Sequence, residues 1–260
     1  MSTKNEIVEK HDISWWERIF ELAINTPGVK VDRKKFLQKE LNGKVPQSII
    51  NDAIQNGTIA AGISKNLASK LARNVINSKC ILTTTVSFTT GLPGGFVGLL
   101  GGSSVDIVQY FGNFFNLAQK LMYIYGYKDI SELDSSQTDI MIAMLGAASG
   151  VEAAQIFIAK QLPKLAEKVT ARVISKQASK NLIKKIANKV LVAIGKKGIS
   201  MFTKEEIAKI IGKGVPIVGG IISGTLTLVS FKPMAKRLNN SLKEHYDYTC
   251  DENDLSIIDI

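Results

Sequence analysis

The chain has 260 residues, 45% of them hydrophobic, with a mean hydropathy of +0.09 and a formal net charge of +10. That length can bury a sizeable core, and the composition lies at the apolar edge of soluble proteins, below a polytopic membrane protein. Two cysteines and two histidines, far apart in the chain, give no basis for a disulfide framework or a metal cluster and suit a reducing cytoplasm.

The polar start, MSTKNEIVEKHD, lacks the apolar run of a signal peptide. Ser14 to Glu17 has capping-box spacing and opens a short amphipathic helix, with Trp16, Phe20 and either Leu22 or Ile24 inward, which Asn25-Thr26-Pro27-Gly28 stops. A second helix is predicted from about Asp32 to Leu41, ended by Asn42-Gly43. A third runs from Pro46 to Asn56, with Gly57 as its stop. These form an N-terminal short-helix unit over 1–58. A helix-turn-helix reading is disfavoured, because no helix clusters Arg, Asn and Gln to read base edges.

Residues 59–245 read as a helical core. Ile63, Leu67, Leu71 and Val75 at four-residue spacing predict a helix over Ile59 to Asn77. From Ile81 to Val105 there are 25 positions without charge, long enough to span a bilayer. Pro93, the glycines and frequent threonines interrupt that run, so the predicted form is a buried helix, a Pro-Gly turn and a second short helix. A membrane-inserted or re-entrant hairpin is the alternative. Gly94, Gly98 and Gly102 lie four apart and predict a face where another backbone approaches closely. Ser103 is the predicted N-cap of an almost wholly buried helix from Asp106 to Tyr125. Ser136 to Asp139 opens the next, in which Gly146, Gly150 and Ala154 repeat the small-residue stripe and pack on the first glycine face.

Between Lys160 and Lys213, fourteen basic residues stand against three glutamates, a local excess of +11. Two amphipathic helices are predicted here, roughly Pro163 to Ile174 and Leu182 to Ile194. The cations Lys164, Lys168, Arg172, Lys176, Lys180, Lys184, Lys185 and Lys189 fall on or beside them. A spacing of four drifts around a helix of about 3.6 residues per turn, so no single straight stripe results. These residues are either a solvated face or an attractor of anionic lipid headgroups, at roughly 1 kcal/mol per cation. Thr203 to Glu206 caps another helix, and Val215 to Phe231 is uncharged, with Gly220 and Gly224 as a third small-residue pair. The acidic tail, 246–260, is predicted to be mobile or to fold onto the basic region.

Chemistry is sparsely signalled. His11 and His245 lie in terminal segments, so a Ser–His or Cys–His pair is poorly supported, and neither GLPGG nor GGSS has the frame of a phosphate-binding loop. No cofactor and no metal is expected. Asp106, between two apolar runs, must cap its helix, pair with a cation or work chemically. Gln109 and Gln119 complete a candidate polar pocket with it.

Pro93-Gly94-Gly95, Asp106 opening a long apolar helix, Gln109, Gln119 and the closing Tyr125-Gly126 resemble the core pattern of the EcsC family. A basic helix followed by Val215-Pro216-Ile217-Val218-Gly219-Gly220 is similar to that family's C-terminal element, so the likeness covers roughly Ala72 to Leu242. It implies a bacterial accessory protein, of a family first grouped with an ATP-binding cassette transporter linked to secretion and without a settled reaction.

The expected fold is therefore all-α, a multi-helix bundle with close-packed glycine faces. The leading functional expectation is a non-enzymatic, EcsC-like accessory or binding protein, peripheral to the cytoplasmic face of a bacterial membrane. Its expected partners are anionic lipid, an apolar ligand or a membrane protein. The alternative is a hydrolase or lipid-handling enzyme around Asp106. Nucleic acid is disfavoured, because no aromatic residue interleaves the lysines between Phe157 and Phe202.

Overall fold

A computed structural model describes residues 18–89, 104–127, 129, 137–163, 181, 184–190 and 231–246, with backbone alone for 81–89, 104–107 and 161. The protein is an all-α multi-helix bundle, and no strand occurs among the described residues. Its helices are α1 (18–25), α2 (Arg33–Leu41), α3 (Gln47–Asn56), α4 (Lys65–Thr89), α5 (Ser104–Ile124), α6 (Gln137–Ala148), α7 (Glu152–Ile156), α8 (184–190, with Asn181 also helical) and α9 (231–246). A π-helical turn, Phe157–Gln161, continues α7. It widens just before Pro163, whose ring has no N–H and crowds the carbonyl four residues back.

Local chemistry sets most boundaries. Asp32 caps α2 by accepting from the Lys35 N–H at 2.9 Å. Arg33 reaches from α2 to the end of α3 and donates to the carbonyls of Ala53, at 3.1 Å, and Ile54, where a cation complements the helix dipole. One boundary differs from expectation: α4 begins at Lys65, not Ile59. Ser64 accepts from the Leu67 N–H at 3.2 Å, and the preceding residues 58–62 form a turn. Its inner face is Ala68, Leu71, Ala72, Val75, Ile76 and Cys80, while Leu67 is only partly buried. The uncharged run that follows continues α4 as far as Thr89.

On α1, Ile19, Phe20 and Ala23 face the core, Ile24 is half-buried and Leu22 is 51% exposed, which settles the choice of inner residue. These apolar residues join the same buried cluster as α5. Phe20 meets the ring of Phe111 edge-on at 4.8 Å.

The buried hub is α5, with α2 and α4 packed on it and α6 touching it. Its C-terminus is closed by Gly126 at φ +83°: Tyr127 N–H bonds the Met122 carbonyl and Gly126 N–H the Tyr123 carbonyl, the two bonds of a Schellman cap. The turn after α3 lies against this cap. A Cβ on Gly57 would stand 2.9 Å from the Gly126 carbonyl oxygen, and Thr58 donates its hydroxyl to Ile124 O at 2.8 Å.

Gly146 and Gly150 play different parts from the continuous stripe expected of them. Gly150, at φ +83° with open space around its α-carbon, is the left-handed residue of a second Schellman cap, from Val151 N–H to Gly146 O and from Gly150 N–H to Ala147 O. The chain bends there by 119° between α6 and the segment Glu152–Lys160. Gly146 is a close-packing glycine, but its described neighbours are Val190 of α8 and Ala154. Gly94, Gly98, Gly102, Gly220 and Gly224 lie outside the described residues, as do the predicted caps at Ser14, Ser103, Ser136 and Thr203.

Among the described residues no single helix is long and apolar enough to cross a membrane. The predicted hairpin beyond Thr89, the uncharged run 215–230 and the tail 247–260 lie outside them.

Along α9, Phe231, Met234, Ala235, Leu238, Leu242 and Tyr246 are buried. His245 packs its ring 4.8 Å from that of Tyr127, and burial pushes the imidazole down to about 4. Since the ordinary value is 6.5, the unfolded chain binds the extra proton between those limits, and stability falls as pH drops from 6.5 towards 4. His245→Gln is expected to flatten that part of a urea-denaturation pH series by roughly 1 to 2 kcal/mol, allowing for the ring's partial exposure. An unaltered slope would assign the acid sensitivity to other groups.

Candidate functional site

Three residues were expected to form a polar pocket on α5. Asp106 lies in the first turn of that helix, and its side chain is outside the described set. Gln109 is exposed, whereas Gln119 is buried at 7% exposure. Ten residues, about 15 Å along a helix, separate the two glutamines, so they line no common pocket.

Gln119 instead holds an extended segment of chain. Its Nε2 donates to Val29 O and to Phe115 O, both at 3.1 Å, and its Oε1 accepts from Val31 N–H at 3.1 Å. Asn116, one turn earlier, donates to Gly28 O and Val29 O, each at 3.1 Å. Tyr123 adds a hydroxyl that donates to Asp129 at 3.0 Å and lies 3.5 Å from Val31 O. These amides pair with Gly28 O, Val29 O and Val31 N–H in a segment that belongs to no helix and is partly buried. The other tyrosines of this region bind neighbours in the same way: Tyr125 donates to Asn239 at 2.8 Å and Tyr127 to Ile158 O at 2.9 Å. Burial pushes the Tyr127 phenol well above its ordinary range.

A lysine cluster lies where α2, α4 and α5 meet. Lys120 places its ammonium 5.9 Å from the centre of the Phe36 ring, and Glu40 and Lys39 act on it with opposite signs. Burial is the main cause of its lowered pKa. Lys79 is pushed down to about 8, first by burial and then by the charge of Lys120.

Two open clefts among the described residues carry charge. One, of about 600 Å³, is lined by Lys30, Arg33 and Lys34 together with Asp32 and Asp129, so its charges largely cancel. The other, of about 590 Å³, is lined by Asn181, Lys184, Lys185, Asn188 and Lys189, with no carboxylate among them. All five are exposed, while Ile186, Ala187 and Val190 on the opposite side of α8 are buried. At about 100° per residue Lys184, Lys185, Asn188 and Lys189 span roughly 140° of the helix circumference, complementary to the buried arc. Asp139, half-buried in the first turn of α6, feels the charge of Lys184, and burial still raises its pKa overall. This second cleft is the candidate site.

The predicted cations thus divide. Lys184, Lys185 and Lys189 share one cleft; Lys164, Lys168, Arg172, Lys176 and Lys180 are outside the described residues. Sequence reasoning overlooked Asn181 and Asn188, although their spacing to Lys184 and Lys185 follows i, i+3, i+4, i+7. Asn116 was missed too; its signal was the three-residue interval to Gln119. Among the described residues no three His, Cys, Asp or Glu side chains gather as a metal site.

The arrangement defines an all-α protein with a lysine–asparagine cleft on an anchored helix. No protein-family model, curated protein or solved structure matches the chain.

Proposed function

We propose that this is a non-enzymatic, EcsC-like accessory protein that binds the anionic cytoplasmic face of a bacterial membrane through its lysine-rich region. The observation that carries the reading is α8: one face is packed in the core and the other offers Lys184, Lys185 and Lys189 to a cleft with no carboxylate among its described lining residues. Three cations at roughly 1 kcal/mol each give about 3 kcal/mol, short of the roughly 4 kcal/mol of a millimolar complex. Lys164, Lys168, Arg172, Lys176 and Lys180 are therefore expected to add to the attraction, as is avidity on a continuous surface.

Cosedimentation with vesicles tests this. The protein is expected to bind phosphatidylglycerol-containing vesicles at low salt, to ignore pure phosphatidylcholine, and to release as salt rises. The triple variant K184E/K185E/K189E should bind at least about ten-fold more weakly while keeping its helical circular dichroism. Equal sedimentation with both vesicle types would defeat the proposal. Capture of duplex DNA without vesicle binding would redirect it to nucleic acid.

A further inference from the structure

Attraction to a charged surface has no use for amides, yet two of the five described side chains in the α8 cleft are asparagines. Lys184, Lys185 and Asn188 stack on one helix face, Lys189 extends it, and Asn181 lines the same cleft. Each ammonium brings charge and three N–H donors, and each amide brings two N–H donors without charge. Such a set suits an anion rich in terminal oxygens. We infer that this cleft is a binding site for a phosphomonoester group, an inference that deepens the membrane reading and rests on it.

A phosphomonoester presents three terminal oxygens and close to two negative charges near neutral pH. The phosphodiester of an ordinary anionic lipid presents two such oxygens and one charge. Charge alone separates the two ligands only through surface potential, whereas the amides add hydrogen bonds that depend on oxygen geometry. The cleft is also held from behind. Val190 rests against Gly146, and Ile186 and Ala187 are buried, so the donors of α8 are carried on an anchored helix rather than on a free surface. Asp139, a carboxylate that feels the charge of Lys184, belongs to α6 and is not among the described residues lining the cleft.

Two sources supply the group, a lipid headgroup such as phosphatidic acid and a soluble phosphate ester. The full chain is titrated with phosphatidylcholine vesicles carrying either phosphatidic acid or phosphatidylglycerol at equal surface charge, with glycerol 3-phosphate as soluble competitor. Phosphatidic acid is expected to bind about ten-fold more tightly than phosphatidylglycerol. The variant N181A/N188A keeps every charge and favours helix, so it should lose that preference while binding phosphatidylglycerol within about two-fold of the parent. Release by glycerol 3-phosphate, but not by chloride at the same ionic strength, would assign the site to phosphate esters in general. Preference without release would assign it to the lipid headgroup. Equal binding at matched charge overturns the pocket and leaves the electrostatic membrane reading standing, whereas binding to neither vesicle overturns both. A preference that survives in N181A/N188A removes the site from this cleft.

Discussion

Gln119→Leu is expected to lower the free energy of unfolding by about 3 kcal/mol, among the larger effects of a single substitution in this chain. The reason is an asymmetry among its three hydrogen bonds. Val29 O would still accept from Asn116, and Phe115 O already takes part in the α5 ladder. Val31 N–H, in contrast, has Gln119 Oε1 as its acceptor, and leucine would leave that buried donor facing hydrocarbon. Loosening residues 28–31 would also release the link between α1 and α2. Gln119→Glu separates loss of shape from loss of bonding. One carboxylate oxygen can still accept from Val31 N–H, but the other faces the carbonyls of Val29 and Phe115, which can only accept. That variant should be least stable at neutral pH and recover as pH falls and its carboxyl protonates. Urea denaturation of both variants checks this. A loss below about 1 kcal/mol for Gln119→Leu would mean that the 28–31 segment does not depend on its amide clamp.

The α5 helix was legible because it announces itself by composition, a run of Phe, Tyr, Leu and Ile with few charges, and the third helix because proline and glycine mark its ends. Apolar spacing misled at the start of α4. Ile59 and Ile63 continue the pattern of a helix, yet Ile59 is half-buried in a turn against Gly126 and Ile63 is buried just after it, so periodicity cannot separate helix from packed turn. Glycine was ambiguous for a related reason. Gly146 and Gly150 look alike in sequence at an interval of four, but one admits Val190 and the other adopts positive φ to end a helix. On α5 the search for chemistry treated buried amides as signs of a pocket, and Gln119 proved to satisfy the protein's own backbone. At α8 the lysines were legible as charge, but charge counting gave no weight to the asparagines between them.

Gly146→Ala is expected to cost about 2 to 3 kcal/mol and to weaken vesicle binding with it. An added Cβ would stand 2.3 Å from Val190 Cγ2 and 3.0 Å from Ala154 Cβ, where relaxed carbon contacts lie at about 3.5 to 4.0 Å. Val190 cannot easily yield, because a β-branched side chain on a helix has one strongly preferred rotamer. Relief must therefore come from moving α8 as a body, and α8 carries Lys184, Lys185 and Lys189. Val190→Ala removes the clashing methyls and by itself leaves a cavity costing about 2 kcal/mol. In the double variant the new methyl fills part of that space, so its loss should fall short of the sum of the two single losses by about 2 kcal/mol. Vesicle binding should recover in parallel, since the helix returns to its seat. Additive losses would show that α8 does not ride on Gly146. A recovery of stability without recovery of binding would sever the packing of this helix from the function proposed for its outer face.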